Sequence, residues 1–266
     1  MLLEEEMEKI ITQIYEVQTP AEAKQIIELG VDHIGSVIVS EDNWKVPLIK
    51  ETIENIKGTT FKSSLIPLFK KPEIIFKVLN YYRPDIVHFC DDLSNHNDVK
   101  ENYEDLLYLQ HNVKEKFPEI MIMRSIPIAQ SGKTETVDTI NMARIFEPVS
   151  DFFLTDTLLT AKSNVSTDQQ PVNGFIGITG KTCDWDMARK LVNSSSIPVI
   201  LAGGISPDNV FDGITYVRPA GVDSCTATNA KDENGGLIRL KKDFKKIKRF
   251  VKAVRRAEKE NNEEVY

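Results

Sequence analysis

Two stretches late in the chain have the composition of an anion site. Leu201-Ala202-Gly203-Gly204-Ile205 is an apolar run broken by two glycines, and Ser206-Pro207-Asp208-Asn209 behind it opens a helix. Glycines let backbone N–H groups approach a ligand oxygen, and a helix N-terminus adds a favourable dipole. Ala202, Gly203 and Gly204 are therefore candidates to hold a phosphate, although the same residues can simply make tight turns. The next apolar run ends in Asp223-Ser224-Cys225-Thr226-Ala227, small residues again, which adds Cys225 and Thr226 to the candidates. Earlier in the chain His88 and Cys90 lie two residues apart and share a strand face, although a lone strand histidine is commonly a satisfied core residue. Neighbouring Tyr15 and Glu16 are expected on opposite faces of their strand. The three cysteines, Cys90, Cys183 and Cys225, have no metal-ligand spacing, and Cys90 and Cys225 read as small packing residues.

Short apolar runs alternating with helical patterns must position these groups. Strands are expected at Ile14–Gln18, His33–Val39, Phe61–Phe69, Asp85–Phe89, Ile120–Ile128, Asp151–Thr155, Ile197–Ala202 and Gly221–Cys225. Helices follow, the first opened by Thr19 as cap, Pro20 at the first helical position and Glu22 three residues after the cap. Eight strand–helix units with no linker predict an α/β fold, a single (β/α)8 TIM barrel of parallel strands. In such barrels the active site lies at the C-terminal ends of the strands, often with a phosphate site in the seventh and eighth units. Residues 1–12 read as an N-terminal extension, 13–257 as the barrel and 258–266 as an acidic tail. The last helix, expected around Leu240–Ala257, is basic: from Arg239 to Arg256 ten basic residues stand against Asp243 alone. Its apolar positions recur at helical spacing, so the basic face is expected outside.

The chain has 266 residues, 41% of them hydrophobic, enough for a sizeable core. A net charge of −7 argues against general nucleic-acid binding. No run approaches the ~18 apolar residues of a membrane helix, and the acidic N-terminus lacks the basic region of a secretory signal. A cytoplasmic protein, monomer or homodimer, is the expectation.

The motifs DFFLTDT, GITGKTCDWDMARKLV, LAGGISPDNV and GVDSCTATN occur in one order, with LKKDFKKIKRFV behind them. Together they resemble the phosphoribosylanthranilate isomerase family over about residues 13–252, most specifically over 151–226. The resemblance implies an Amadori rearrangement of a phosphorylated aminosugar, as in tryptophan biosynthesis, with no cofactor or metal. It implies a general acid at Asp156, phosphate contacts at Gly177, Thr179 and Gly180 as well as the later glycines, and a pocket-lining place for His88 and Cys90. The family's base is a cysteine after the first strand, and this chain has none there; the alignment offers Glu16 or Tyr15 instead. Glu16 can equally hold another ligand or make a salt bridge. The family's arginine after the second strand falls on Trp44, beside Lys45, and Ile178 replaces a glycine. Arg124, which no motif explains, is either an inward cation for an anionic substrate or, the preferred reading, one half of a strand-end ion pair. Trp185 reads as a packing residue at the start of its helix. A divergent barrel acting on another sugar phosphate, or a non-catalytic phosphometabolite-binding protein, are the alternatives.

Overall fold

The computed structural model describes residues 9–93, 103–133, 137–159 and 174–263. Most of the polar loop expected through Asn173 lies outside the described residues. Eight parallel strands close into a barrel in chain order: β1 (Ile11–Ile14), β2 (His33–Ile38), β3 (Lys62–Pro67), β4 (Ile86–Phe89), β5 (Met121–Ala129), β6 (Phe152–Leu158), β7 (Val199–Leu201) and β8 (Gly221–Ser224). The seam pairs Ile11 with Gly221 through to Ile14 with Ser224. Helices α1 (Pro20–Glu28), α2 (Pro47–Ile56), α3 (Pro72–Tyr82), α4 (Glu104–Lys116), α5 (Thr139–Phe146), α6 (Trp185–Ser194), α7 (Val210–Val217) and α8 (Phe244–Glu263) cover it. The eight-unit (β/α)8 reading holds.

Local sequence explains the helix starts. Thr19 accepts the Glu22 N–H at 3.2 Å, and Pro20, Pro47 and Pro72 each sit in a first turn, where a missing N–H costs nothing. Asp184 caps α6 by accepting the Met187 N–H at 2.9 Å. Trp185 packs against the apolar layer between strands and helices, as its position suggested. The barrel interior is more polar than that layer. Tyr15, Ser64, His88 and Ser125 form one hydrogen-bonded chain across β3, β4, β5 and the end of β1.

Three boundaries differ from the sequence reading. The first strand lies earlier, at Ile11–Ile14, because pairing with β8 fixes its register, so the extension drawn to residue 12 includes the start of β1. Leu240–Lys242, expected to open the last helix, instead end a short antiparallel hairpin of β9 (Asn229–Lys231) and β10 (Leu237–Lys242). The last helix then runs to Glu263, through the boundary drawn at 257, and Glu258 accepts the Ile10 N–H at 3.1 Å. Among the described residues no helix is long and apolar enough to cross a membrane.

Candidate active site

The C-terminal strand ends surround a cleft. Every candidate residue from the sequence lines it: Tyr15, Glu16, His88, Cys90, Asp156, Gly177, Thr179, Gly180, Ala202, Gly203, Gly204, Cys225 and Thr226. One further ionisable residue, Asp223, lines it too.

Asp156 stands near the end of β6. Its Oδ1 accepts the Thr157 N–H at 2.8 Å, and its Oδ2 lies directly beneath Gly177. Gly177 has φ 109°, and a Cβ there would overlap the carboxylate, so glycine is what allows the loop to cross Asp156. Burial pushes the Asp156 carboxyl up to about 7, against the smaller opposing effect of the Thr157 N–H. A carboxyl that still holds its proton near neutral pH is suited to act as a general acid.

The glycine loops interlock above β6 and β7. Thr157 donates to the Lys181 carbonyl at 2.7 Å, and Gly204, with φ 66°, presses so closely on the Lys181–Thr182 backbone that no side chain fits. Gly180 lies beside the Thr226 side chain, where a one-turn helix, Thr226–Thr228, begins. Ile178, at the position of the family's glycine, nevertheless adopts φ 64°, a left-handed backbone that is unfavourable for a β-branched residue. Behind this cradle the buried Lys242 ammonium donates to the Cys225 carbonyl at 3.0 Å and to Asn229 Oδ1 at 2.5 Å.

At the end of β1 the alternation fails. Glu16 has φ 64°, which turns the chain so that Tyr15 and Glu16 both face the cleft rather than opposite sides. Glu16 Oε1 takes two donors from Arg239, the Nε at 2.7 Å and a terminal nitrogen. Its Oε2 accepts from Asn229 at 2.6 Å. Burial alone would raise its pKa, but the Arg239 hydrogen bonds and charge, with Lys242 and Asn229, carry it below the ordinary value. A carboxylate held in this way is a poor proton acceptor. Of the readings open for Glu16 the geometry has the salt bridge, and Arg239 and Lys242 point inward from a segment whose basic face was expected outside.

Tyr15 is no better placed as a base. Its hydroxyl is shared with Ser64 at 2.5 Å and His88 Nδ1 at 2.8 Å, and burial holds it well above its usual pKa, as a neutral phenol. Its ring occupies the space over Gly35, where a Cβ would overlap it. Burial, aided by Arg124, lowers His88 to about 3, so the ring is neutral, with Nε2 on Ser125 at 2.8 Å. Burial also raises the Cys90 and Cys225 thiols, which remain protonated. Trp44 packs edge-on against Tyr81 with Lys45 over both rings, so the residues aligned with the family's arginine pack against α3 and do not line the cleft. Arg124 is buried against Asp91 at 2.8 Å, the ion pair expected of it. Val37, Ile66, Leu68 and Phe175 form an apolar wall on the β2–β3 side.

Asp223 escaped notice because it sits inside the apolar run Gly221–Cys225. The signal was available: an acid within a buried barrel strand, two residues from Cys225, has to face the interior. Burial raises it to about 8, with Gln13 and Lys242 opposing and Asp156 adding to the rise. Among the described residues no group of three His, Cys, Asp or Glu side chains is arranged to hold a metal ion.

Comparison with known proteins agrees with the arrangement. The N-(5'-phosphoribosyl)anthranilate isomerase of Methanocella arvoryzae is 32% identical over 148 residues, 56% of each chain. Isomerase 2 of Methanosarcina mazei is 36% identical over 140 residues, 53% of this chain and 51% of its own. The chain thus spans about half the length of the curated relatives it matches. Phosphoribosyl anthranilate isomerase from Thermotoga maritima superposes with a TM-score of 0.66 at 19% identity, covering 92% of this chain and 98% of that one. Thiamine phosphate pyrophosphorylase from Pyrococcus furiosus reaches 0.54 at 16% identity over 94% and 97% of the two chains, so the superpositions speak for the fold alone. The family model of N-(5'phosphoribosyl)anthranilate (PRA) isomerase matches residues 13–253, and the chain belongs to that family.

Proposed function

We propose that the protein catalyses the Amadori rearrangement of N-(5'-phosphoribosyl)anthranilate, an aminoaldose phosphate, to the corresponding aminoketose phosphate of tryptophan biosynthesis. The observation that carries this reading is Asp156, a carboxyl raised to about 7 that shares one cleft with the glycine cradle. The three parts of the cleft suit three parts of such a substrate. The Gly203–Gly204 and Thr226 loops offer backbone donors to the phosphate, Asp156 offers a proton to the ring oxygen, and the apolar wall accepts an aromatic ring. A related isomerase has been solved with reduced 1-(o-carboxyphenylamino)-1-deoxyribulose 5-phosphate, a ligand with the same three parts.

Turnover of phosphoribosylanthranilate, followed by loss of its fluorescence, tests the reading. Asp156→Asn should lower kcat by about 10²- to 10⁴-fold, the range expected for a general acid. Wild-type turnover no faster than the Asp156→Asn background would overturn it.

One observation favours a second reading. Trp44 and Lys45 pack on Tyr81, away from the apolar wall, which suits a phosphosugar carrying an uncharged apolar group in place of anthranilate. Thermal melts separate the two, because a ligand that binds only the native state raises its stability. Protection by inorganic phosphate with none added by the carboxyphenyl analogue would select the second.

A further inference from the structure

The proposed rearrangement requires a group that accepts the C2 proton, and the assignment of that group rests on the isomerase reading. Glu16 is held as an ion pair by Arg239, while Tyr15, Cys90 and Cys225 keep their protons. His88 has both ring nitrogens in hydrogen bonds to hydroxyls. One cleft-lining group remains. Asp223 is 6% exposed, and its Oδ1 is buried without a hydrogen-bond partner. Buried polar atoms are nearly always paired, so an unpaired carboxylate oxygen on a cleft-lining residue calls for an explanation in function.

We propose that Asp223 is the general base of this site, taking the C2 proton of the substrate while Asp156 protonates the ring oxygen.

The surroundings divide the two roles. Asp223 is opposite Gln13 of β1 in the sheet register, and the neighbouring Gln13 amide favours its anion. The Lys242 ammonium, on β10, faces it as well, while the nearby Glu16 charge is matched by Arg239. Asp156 has only the Thr157 N–H. Burial nevertheless holds Asp223 at about 8 against about 7 for Asp156, so near neutral pH the two repelling carboxylates come to share one proton. The reactive arrangement is the one with that proton on Asp156 and Asp223 ionised.

The step balances. The ring C1–O bond breaks, its oxygen takes the Asp156 proton, and the nitrogen lone pair forms C1=N. Asp223 removes the C2 proton, the C2–H electrons form C1=C2, and the C1=N pair returns to nitrogen. The enolamine then gains a proton at C1 from Asp223 and loses the C2 hydroxyl proton to Asp156, which restores both groups.

The test compares wild type, Asp223→Asn and Asp223→Glu on phosphoribosylanthranilate, unlabelled and deuterated at C2, with titration of the reduced carboxyphenylamino product analogue. Asp223→Asn should lose about 10²- to 10⁴-fold in kcat while binding the analogue as wild type does. Its residual rate should lose the acid limb of the pH profile and show a larger isotope effect, and Asp223→Glu should recover part of the rate. Wild-type kcat in Asp223→Asn overturns the role of Asp223 and leaves the isomerase reading standing. Absence of turnover by wild type overturns both. Loss of analogue binding in both variants would mark a structural residue and overturn the proposal too.

Discussion

Asp156 and Asp223 keep their protons more tightly than free aspartate because burial penalises the anion, and that preference is also a statement about stability. Their folded values, about 7 and about 8, lie above the ordinary aspartate value of 3.8. A carboxyl raised on folding favours the fold when protonated. Its contribution is complete below the unfolded pKa and is lost as pH rises through the folded one. Asp223→Asn keeps the shape but cannot ionise, so it should melt at a higher temperature than wild type near pH ~9 and with it near pH ~4. Melts that coincide at both pH values would show that Asp223 carries no such cost. Gly177→Ala acts on the other carboxyl. The added methyl displaces Asp156, and a misplacement of this size should lower kcat by about 10²-fold in steady-state assays. Asp156 and the glycines were legible because a contiguous motif carries them. Asp223 was not, since an isolated acid in an apolar run has no local motif, only the geometry of a closed barrel.

At the scale of elements, the β9–β10 hairpin matters most. It brings Arg239 and Lys242 back over the end of β1, more than two hundred residues away in sequence, and Glu16 is its anchor. The left-handed backbone at Glu16 and at Leu240, whose N–H also reaches Glu16, belongs to the same junction. Removing the anion leaves Arg239 without its partner, and breaking a buried pair costs about 3–5 kcal/mol, less here because Arg239 is one-third exposed. Glu16→Gln should therefore lower the melting temperature by several degrees at neutral pH. The difference should vanish in acid, because a carboxylate with a depressed pKa contributes stability above its unfolded value and loses it as pH falls through the folded one. A constant difference at all pH values would exclude the ion pair as its source. The hairpin was hidden in the sequence because Leu237–Lys242 mixes apolar and basic residues without alternating, directly ahead of a helical run. The long-range contact that makes it a strand has no local trace.

The whole molecule divides into a cleft end and a stabilising end. Alternating strands and helices made the barrel legible, since eight apolar runs at regular spacing have few other ways to be covered. What they could not reveal is how the last helix locks the closure. From α8, Arg255 donates to the Ile10 carbonyl at 3.0 Å, to Thr12 at 3.0 Å and to Asp32 at 3.0 Å, while Glu258 accepts the Ile10 N–H and pairs with Arg255. These bonds hold the N-terminal end of β1, whereas the cleft lies at the C-terminal ends of the strands, and in this fold the former serves stability. Glu258→Ala removes charge-assisted bonds in a half-buried place, worth about 1.5–3 kcal/mol. For a domain of this size each kcal/mol shifts the midpoint by about 2–4 °C. The variant should thus melt several degrees lower, yet keep kcat and KM at temperatures where it is folded. A fall in kcat without a fall in melting temperature would mean that the helix acts on the cleft itself, and the division of the barrel into two ends would fail.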